Sequence, residues 1–276
     1  MANKIETGKN YETIIYEKDD DGIATITFNR PNRRNAINPQ LEAETQDAVW
    51  DVREDDRMRV LILTGAGTSF CSGYDVREQF LAEVPASERY RKQRREMMRT
   101  GKRRFTFPFG LDFFKPSIAA VNGPSCGDGF SYALSSDIRI CTPNAKFSYL
   151  YVRRGLIEGE AGIFMLPALI GYSRAAEMML SGEWVEAEEA LRIGLVREIV
   201  PPDKLMARAR EYAYKLLQGA PMPQWCIKQL LIRSMNNPTN LQELMNLWSS
   251  DLWQSEDFKE GATSFVEKRE PKFKGW

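Results

Sequence analysis

Short apolar segments recur along the first half of the chain, without the alternation that marks a half-exposed strand. Four of them predict strands that are buried on both faces, as in a parallel sheet: Ile23–Phe28, 59–64, Ser117–Val121 and Ile138–Cys141. Helix-length segments such as 41–54 separate these strands, so we expect the strands to pair in parallel. This pattern is typical of the α/β class.

The second half of the chain has a different pattern. Helical periodicity covers four stretches there: 187–193, 203–217, 222–235 and 241–253. No strand pattern follows residue 200. We therefore expect an α/β core over residues 1–200 and a helical C-terminal subdomain over residues 201–276.

The composition restricts the chemistry, because the chain contains no histidine. A Ser-His-Asp or Cys-His nucleophile is excluded, as are zinc sites built on histidine and a histidine pH switch. We assign no metal ligands. In an enzyme of this composition, proton transfer would depend on carboxylates, Tyr, Lys, Cys, water or a cofactor.

Charge and cysteine content are those of an ordinary globular protein. The 38 basic and 38 acidic residues balance, which gives no reason to expect a nucleic-acid or membrane partner. The four cysteines lack CxxC spacing, and we expect reduced thiols. Neither a signal peptide nor a membrane-spanning run is evident, so we expect a cytoplasmic protein.

Two glycine-rich loops, at residues 64–75 and 121–131, each follow a predicted buried strand and enter a predicted helix. Backbone N–H groups at such places can bind an anion or an oxyanion. For either loop alone, a plain strand-to-helix turn is the alternative. Together, the loops can offer one N–H each to a single oxygen, which is the arrangement of an oxyanion hole.

These segments carry a resemblance to a known family. The matching pieces follow in order along almost the whole chain: Asn29-Arg30-Pro31, Asn35-Ala36, 63–75, 115–129, 137–140, Gly155-Leu156, Ser181-Gly182, 187–201 and 264–269. By their order and spacing the chain is identified as a member of the enoyl-CoA hydratase/isomerase (crotonase) superfamily. The resemblance implies a crotonase-type spiral of ββα units with a C-terminal helical trimerisation subdomain, in a homotrimer or a dimer of trimers.

The resemblance also implies an acyl-CoA substrate, enolate chemistry and no cofactor beyond the coenzyme A moiety of the substrate. The thioester oxygen would accept hydrogen bonds from the backbone N–H groups of Tyr74 and Asp128. Seven positions would contact the coenzyme A moiety: Arg33, Asn35, Ala36, Ser72, Asp75, Phe265 and Lys268. Phe265 and Lys268 would do so across a subunit boundary, and the end of an ordinary amphipathic helix is the alternative for both.

The chain departs from the family at the two glutamates that position and activate water in the usual hydratase. These positions fall on Ser131 and Tyr151, and neither is a carboxylate. Tyrosine, with a reference pKa near 10, suits a proton donor or an oxyanion partner better than a base. Glu158 and Glu160 lie where other branches of the superfamily carry a catalytic carboxylate, and solvated loop glutamates are the alternative.

Asp128 is a further departure, because the family usually has glycine at this position. Three roles are open for its carboxylate: a structural hydrogen bond that turns it away from the substrate, protonation of the product, or repulsion of carboxylated substrates.

Nine basic residues lie between positions 89 and 104. They form either a solvated face or trimer contact, or a patch that binds coenzyme phosphates or an acidic substrate. The phenylalanines between 105 and 114 line an acyl pocket or pack in the core.

The leading hypothesis is a hydratase or isomerase that stabilises a thioester enolate in the backbone oxyanion hole, with an atypical active site. A C–C bond hydrolase of the retro-Claisen type or a decarboxylase follows. A hydratase-lyase, which Phe130-Ser131 resembles, comes third. A non-catalytic acyl-CoA-binding or RNA-binding scaffold is the alternative of a different class, and the loss of both glutamates favours it.

Overall fold

The computed structural model describes residues 2–80, 95, 113–154, 162–236 and 255–275. The strands are β1 Lys4–Ile5, β2 Ile14–Asp19, β3 Ile23–Phe28, β4 Val60–Gly65, β5 Ser117–Val121, β6 Ser125–Cys126, β7 Ile138–Cys141, β8 Lys146–Ser148, β9 Trp184–Glu186 and β10 Glu198–Ile199. The α-helices are α1 Pro39–Glu54, α2 Val76–Phe80, α3 Asp128–Leu134, α4 Gly162–Ile170, α5 Tyr172–Ser181, α6 Ala187–Arg192, α7 Leu205–Leu217, α8 Pro221–Asn236 and α9 Glu256–Glu267. Three 3₁₀ segments complete the described elements: Pro31–Arg33, Leu150–Arg154 and Pro202–Lys204.

Seven strands form one sheet, in the order β1-β2-β3-β4-β5-β7-β10. Within this sheet, the neighbouring strands β3, β4, β5, β7 and β10 pair in parallel. This confirms the sequence prediction for β3, β4, β5 and β7. The edge formed by β1, β2 and β3 is antiparallel. A second sheet consists of β6, β8 and β9. The α/β class is confirmed, with a mixed rather than wholly parallel main sheet.

The central strands lack alternation because both faces of the sheet are covered. Leu61 and Leu63 of β4 belong to a buried cluster that includes Val49 of α1. Ile62, which points to the opposite face, belongs to a second cluster with Leu205 of α7. The first helix after residue 200 therefore packs on the sheet, and the division of the chain at that residue stays a prediction. The helix predicted over 241–253 lies outside the described residues.

Two buried lysines tie the helices to the sheet. Lys115 donates hydrogen bonds to the carbonyls of Val52 and Asp55 at the end of α1, over 2.9 and 2.8 Å. Burial lowers the pKa of Lys115 to about 8. Lys228 of α8 donates to the Lys115 carbonyl over 2.7 Å and pairs with Asp137 at 2.8 Å. These contacts lie at the amino ends of β5 and β7, opposite the ends from which the glycine-rich loops emerge.

The four cysteines are free thiols, and Cys71, Cys126 and Cys141 are buried. Burial raises the pKa of all three, to about 11 for Cys126 and about 12 for Cys141. The thiols thus stay protonated in the native state at a pH at which the thiols of an unfolded chain ionise. Each contributes stability that is complete below about pH 9 and is lost as the pH rises towards the native pKa.

The free energy of unfolding is therefore expected to fall as the pH rises above about 9, by about 2 kcal/mol per thiol at about pH 10.5. Urea unfolding at about pH 8 and about pH 10.5 measures this change. The Cys126→Ala and Cys141→Ala variants remove one titrating thiol each and should each show a smaller fall than the unchanged chain. An equal fall in all three proteins would assign the pH dependence to other groups.

Candidate active site

The first loop follows β4 and is held by a buried side chain outside it. The side-chain amide of Asn35 is fully buried and donates to the carbonyls of Ala66 and Ser69, over 2.9 and 2.7 Å. Its oxygen accepts from the Arg30 N–H over 2.9 Å. The backbone at Asn35 has a φ of 55°, a left-handed conformation that asparagine adopts more readily than most residues. The Asn35 amide thus positions the loop, and a contact of this residue with coenzyme A stays a prediction.

The second loop follows β5 and lies directly against the first. The Phe70 N–H donates to the Pro124 carbonyl over 3.1 Å, and the Cys126 N–H donates to the Cys71 carbonyl over 3.1 Å. Cys71 and Ser125 form a parallel bridge. The two loops predicted from the sequence are thus joined, backbone to backbone, at the carboxyl ends of adjacent parallel strands.

Glycines permit this close approach. A Cβ atom at position 123 would lie 2.1 Å from the carbonyl oxygen of Thr68, and one at position 129 would lie 2.3 Å from that of Cys71. Both distances are well inside van der Waals contact. Gly123 and Gly129 are therefore required by the packing of one loop on the other.

The backbone at Tyr74 is oriented by its neighbours. Ile37 donates its N–H to the Gly73 carbonyl over 2.9 Å and accepts from the Asp75 N–H over 2.8 Å. Successive N–H groups of an extended chain point to opposite sides, so the Tyr74 N–H points away from Ile37. The second loop lies close to the residue before Tyr74, since a Cβ atom at Gly73 would be 3.5 Å from the Asp128 nitrogen. The two amides assigned to the oxyanion hole therefore lie on adjoining backbone segments.

Ser131 and Tyr151 meet inside the protein, although 20 residues separate them. Both are buried, and the Ser131 Oγ lies 3.1 Å from the Tyr151 hydroxyl, with either atom able to donate. Ser131 lies in α3, where its N–H donates to the Gly127 carbonyl over 3.1 Å. The Tyr151 ring packs edge-on against Tyr149 at a centroid distance of 4.9 Å. A buried hydroxyl pair thus occupies the two positions that the sequence prediction assigns to the family's glutamates.

The end of the first loop is fixed by charged side chains. Asp75 accepts from the Glu78 N–H over 3.3 Å and pairs with Arg30, also at 3.3 Å. Arg30 also pairs with Glu78 at 2.7 Å. The Tyr74 hydroxyl donates to Glu42 over 3.0 Å. The sequence prediction gave no role to Arg30, Glu42 or Glu78, because the side chains with which they pair here lie more than 30 residues away and no local spacing signals these pairs.

The other predicted coenzyme positions are spread around the loops. Arg33 is exposed at the end of its 3₁₀ segment, and the Ala36 carbonyl accepts from Arg30. Ser72 is half-buried, and its N–H donates to the Arg34 carbonyl over 3.1 Å. Contacts of all these residues with coenzyme A stay predictions.

The last two predicted coenzyme positions belong to the C-terminal region. Phe265 lies in α9, and Lys268 is exposed just after it, with a φ of 55°. Their predicted contact with coenzyme A across a subunit boundary stays a prediction.

Several predicted features lie outside the described residues. These include Glu158, Glu160, the phenylalanines at 105, 107 and 109, and the basic stretch 89–104 apart from Arg95. Phe113 is fully buried, with the Lys228 ammonium 5.0 Å from its ring centre, and Phe114 packs on Trp225 at 4.8 Å. For these two rings, the structure supports core packing rather than an acyl pocket. Among the described residues, no cluster of metal-ligating side chains is present.

Comparison with known proteins identifies the family. The family model described as enoyl-CoA hydratase/isomerase matches residues 18–276. The chain belongs to this family. It is 36% identical to (E)-benzylidenesuccinyl-CoA hydratase of Thauera aromatica, over 92% of this chain and 96% of the relative. It is 33% identical to crotonyl-CoA hydratase of Syntrophomonas wolfei, over 95% of this chain and 98% of the relative.

Solved structures of enoyl-CoA hydratases share the fold. That of the Bacillus anthracis enzyme superimposes with a TM-score of 0.83 and 29% identity, over 96% of this chain and all of the other. The crotonase fold expected from the sequence is thus confirmed, and the chain is an enzyme of the enoyl-CoA hydratase/isomerase family.

None of its described helices has the length and apolar character that a membrane crossing requires. The trimeric state and the cytoplasmic location stay predictions.

Proposed function

We propose that the chain hydrates or isomerises an enoyl-CoA thioester and stabilises the enolate between the amides of Tyr74 and Asp128. The observation that carries this proposal is the contact of the two loops, which places both amides on adjoining backbone. Preorganised N–H donors of this kind contribute about 10²–10³ each to the rate of an enolate-forming step. The names of both hydratase relatives support addition of water to a coenzyme A thioester.

Proton transfer is assigned to the Ser131–Tyr151 pair. When a water oxygen bonds to the β-carbon, the double bond shifts and the thioester becomes an enolate. Tyr151 then gives its phenolic proton to the α-carbon, and the proton lost by the water returns to the phenolate through Ser131. The described part of the site offers no glutamate at either position. Glu158 and Glu160 stay as the alternative bases.

The proposal is tested by incubating the protein in D₂O with the saturated thioester butyryl-CoA, and separately with crotonyl-CoA. We expect mass spectrometry to show deuterium at the α-carbon of butyryl-CoA and hydration of crotonyl-CoA. Exchange needs the enolate and a group that removes the α-proton and returns a deuteron, here the Tyr151 phenolate, so it detects the oxyanion hole and its proton-transfer group even when the acyl group is not the natural one. Absence of both exchange and turnover across a panel of acyl-CoA thioesters, with binding retained, would overturn the proposal in favour of a non-catalytic scaffold.

A further inference from the structure

The 3₁₀ segment Leu150–Arg154 carries Tyr151 and Arg154 on one face. In a 3₁₀ helix, residues three apart lie on the same face, about 6 Å apart along the axis. Tyr151 and Arg154 have this spacing. Arg154 therefore lies on the same face of the segment as Tyr151, whose hydroxyl meets Ser131, and Arg154 is exposed where Tyr151 is buried.

Arg154 differs from the arginine that precedes it. Arg153 packs over Gly182, donates to the Ser181 carbonyl over 2.8 Å and pairs with Glu183 at 3.4 Å. Arg154 is exposed, and within the described residues its guanidinium contacts one acceptor, the Arg153 carbonyl at 3.2 Å, and no carboxylate. Within the described residues, one of two consecutive arginines is thus held in structural contacts and the other is exposed without a carboxylate contact.

The positive charge of Arg154 reaches the second loop. Burial raises the pKa of Cys126, and the charges of Arg154 and Arg34 act against this effect. The opposing charge on this loop is that of Asp128, which helps to raise the pKa of Cys71 after the larger effect of burial. Of these two charges, that of Arg154 attracts a substrate carboxylate and that of Asp128 repels one.

We propose that Arg154 binds a carboxylate at the far end of the acyl group, so that the substrates are thioesters of short dicarboxylic acids. This inference rests on the proposed function, because it takes the Tyr151 side of the site as the place of the acyl group. A guanidinium matches a carboxylate with two parallel hydrogen bonds, which gives both charge and geometric selectivity.

The test compares glutaryl-CoA with valeryl-CoA, which have acyl chains of equal carbon number and differ in the terminal carboxylate. Dissociation constants are measured by calorimetry, and α-hydrogen exchange is measured in D₂O on the same samples. The unchanged chain is expected to bind glutaryl-CoA more tightly. Arg154→Gln should lower the ratio of the two affinities by about 10- to 100-fold, the range expected for a hydrogen bond to a charged group. Arg154→Lys should keep part of the ratio.

Arg153→Gln is the matched control, since it removes the same charge one residue away and should change the ratio by less than about twofold. Equal affinities of the unchanged chain for the two thioesters would overturn the inference. An equal loss for both thioesters in Arg154→Gln would also overturn it, and would place the guanidinium on the coenzyme phosphates. Tighter binding of glutaryl-CoA without exchange of either thioester would support the inference and refute the proposed enolate chemistry, so the two failures are distinguishable.

Discussion

Replacing Tyr151 by phenylalanine is expected to lower kcat for hydration of an enoyl-CoA by about 100- to 1,000-fold, the usual contribution of a positioned proton donor. The change removes one hydroxyl and leaves the ring against Tyr149, so the fold is expected to persist. Initial rates over a range of crotonyl-CoA concentrations measure the effect. The loss should appear in kcat rather than in KM, because the proton is transferred in the transition state.

Two variants make this prediction specific. Ser131→Ala removes the partner of the Tyr151 hydroxyl but not the proton donor, and is expected to cost about 10-fold or less in kcat. Tyr149→Phe makes the same chemical change two residues away and should stay within about 3-fold of the unchanged chain. Small and equal effects of Tyr151→Phe and Ser131→Ala would move the proton transfer to Glu158 or Glu160.

The second large effect is expected for Gly129→Ala. The added Cβ atom would lie 2.3 Å from the Cys71 carbonyl oxygen, a backbone atom that cannot move away as the end of a flexible side chain could. Relief requires the loops to separate, which we expect to cost about 3 kcal/mol in the free energy of unfolding. The separation would also displace the Asp128 amide from that of Tyr74 and lower kcat by about 100-fold.

Gly261→Ala provides the control. This glycine lies within α9, and the nearest atom to an added Cβ is in Phe273, at an ordinary contact distance of 3.7 Å. Alanine favours a helix over glycine, so the variant should be as stable as the unchanged chain or more stable by up to about 1 kcal/mol. Urea unfolding midpoints and initial rates for both variants test the comparison. An unchanged midpoint in Gly129→Ala would contradict the close packing of the loops.

The sequence predicts the parts of the fold that depend on local pattern. Unbroken apolar runs identify β3, β4, β5 and β7, because strands covered on both faces have no polar side to alternate with. The two glycine-rich loops can be recognised in the sequence because the close approach of two backbone segments requires glycine residues. The short strands β6, β8 and β9 are missed, since two or three residues carry no detectable period. The strand β2 and its pairing with β3 are missed because the second half of β2 is charged.

The chemistry of the site depends on contacts that no local pattern encodes. Ser131 and Tyr151 are each identified by alignment to family positions, but their hydrogen bond arises only when the turn after β8 closes on α3. For Asn35, the structure shows a contact that its family motif does not predict. Its place in a family motif suggests a coenzyme contact, which stays a prediction, and the structure adds that its buried amide holds the backbone of the first loop. A family motif thus indicates that a residue lies near the site, but it does not show whether that residue contacts the substrate or supports the loop backbone.

The ammonium of Lys228 has a consequence for how the chain is partitioned. It joins α8, from the helical region, to Asp137 and to the carbonyl of Lys115 at the start of the sheet. A fragment that ended before α8 would keep the aspartate and lose its counter-charge, together with a donor to backbone that the intact protein buries. A chain that ended before α8 is therefore expected to be less stable than the intact chain, because Asp137 and the Lys115 carbonyl would lose these contacts.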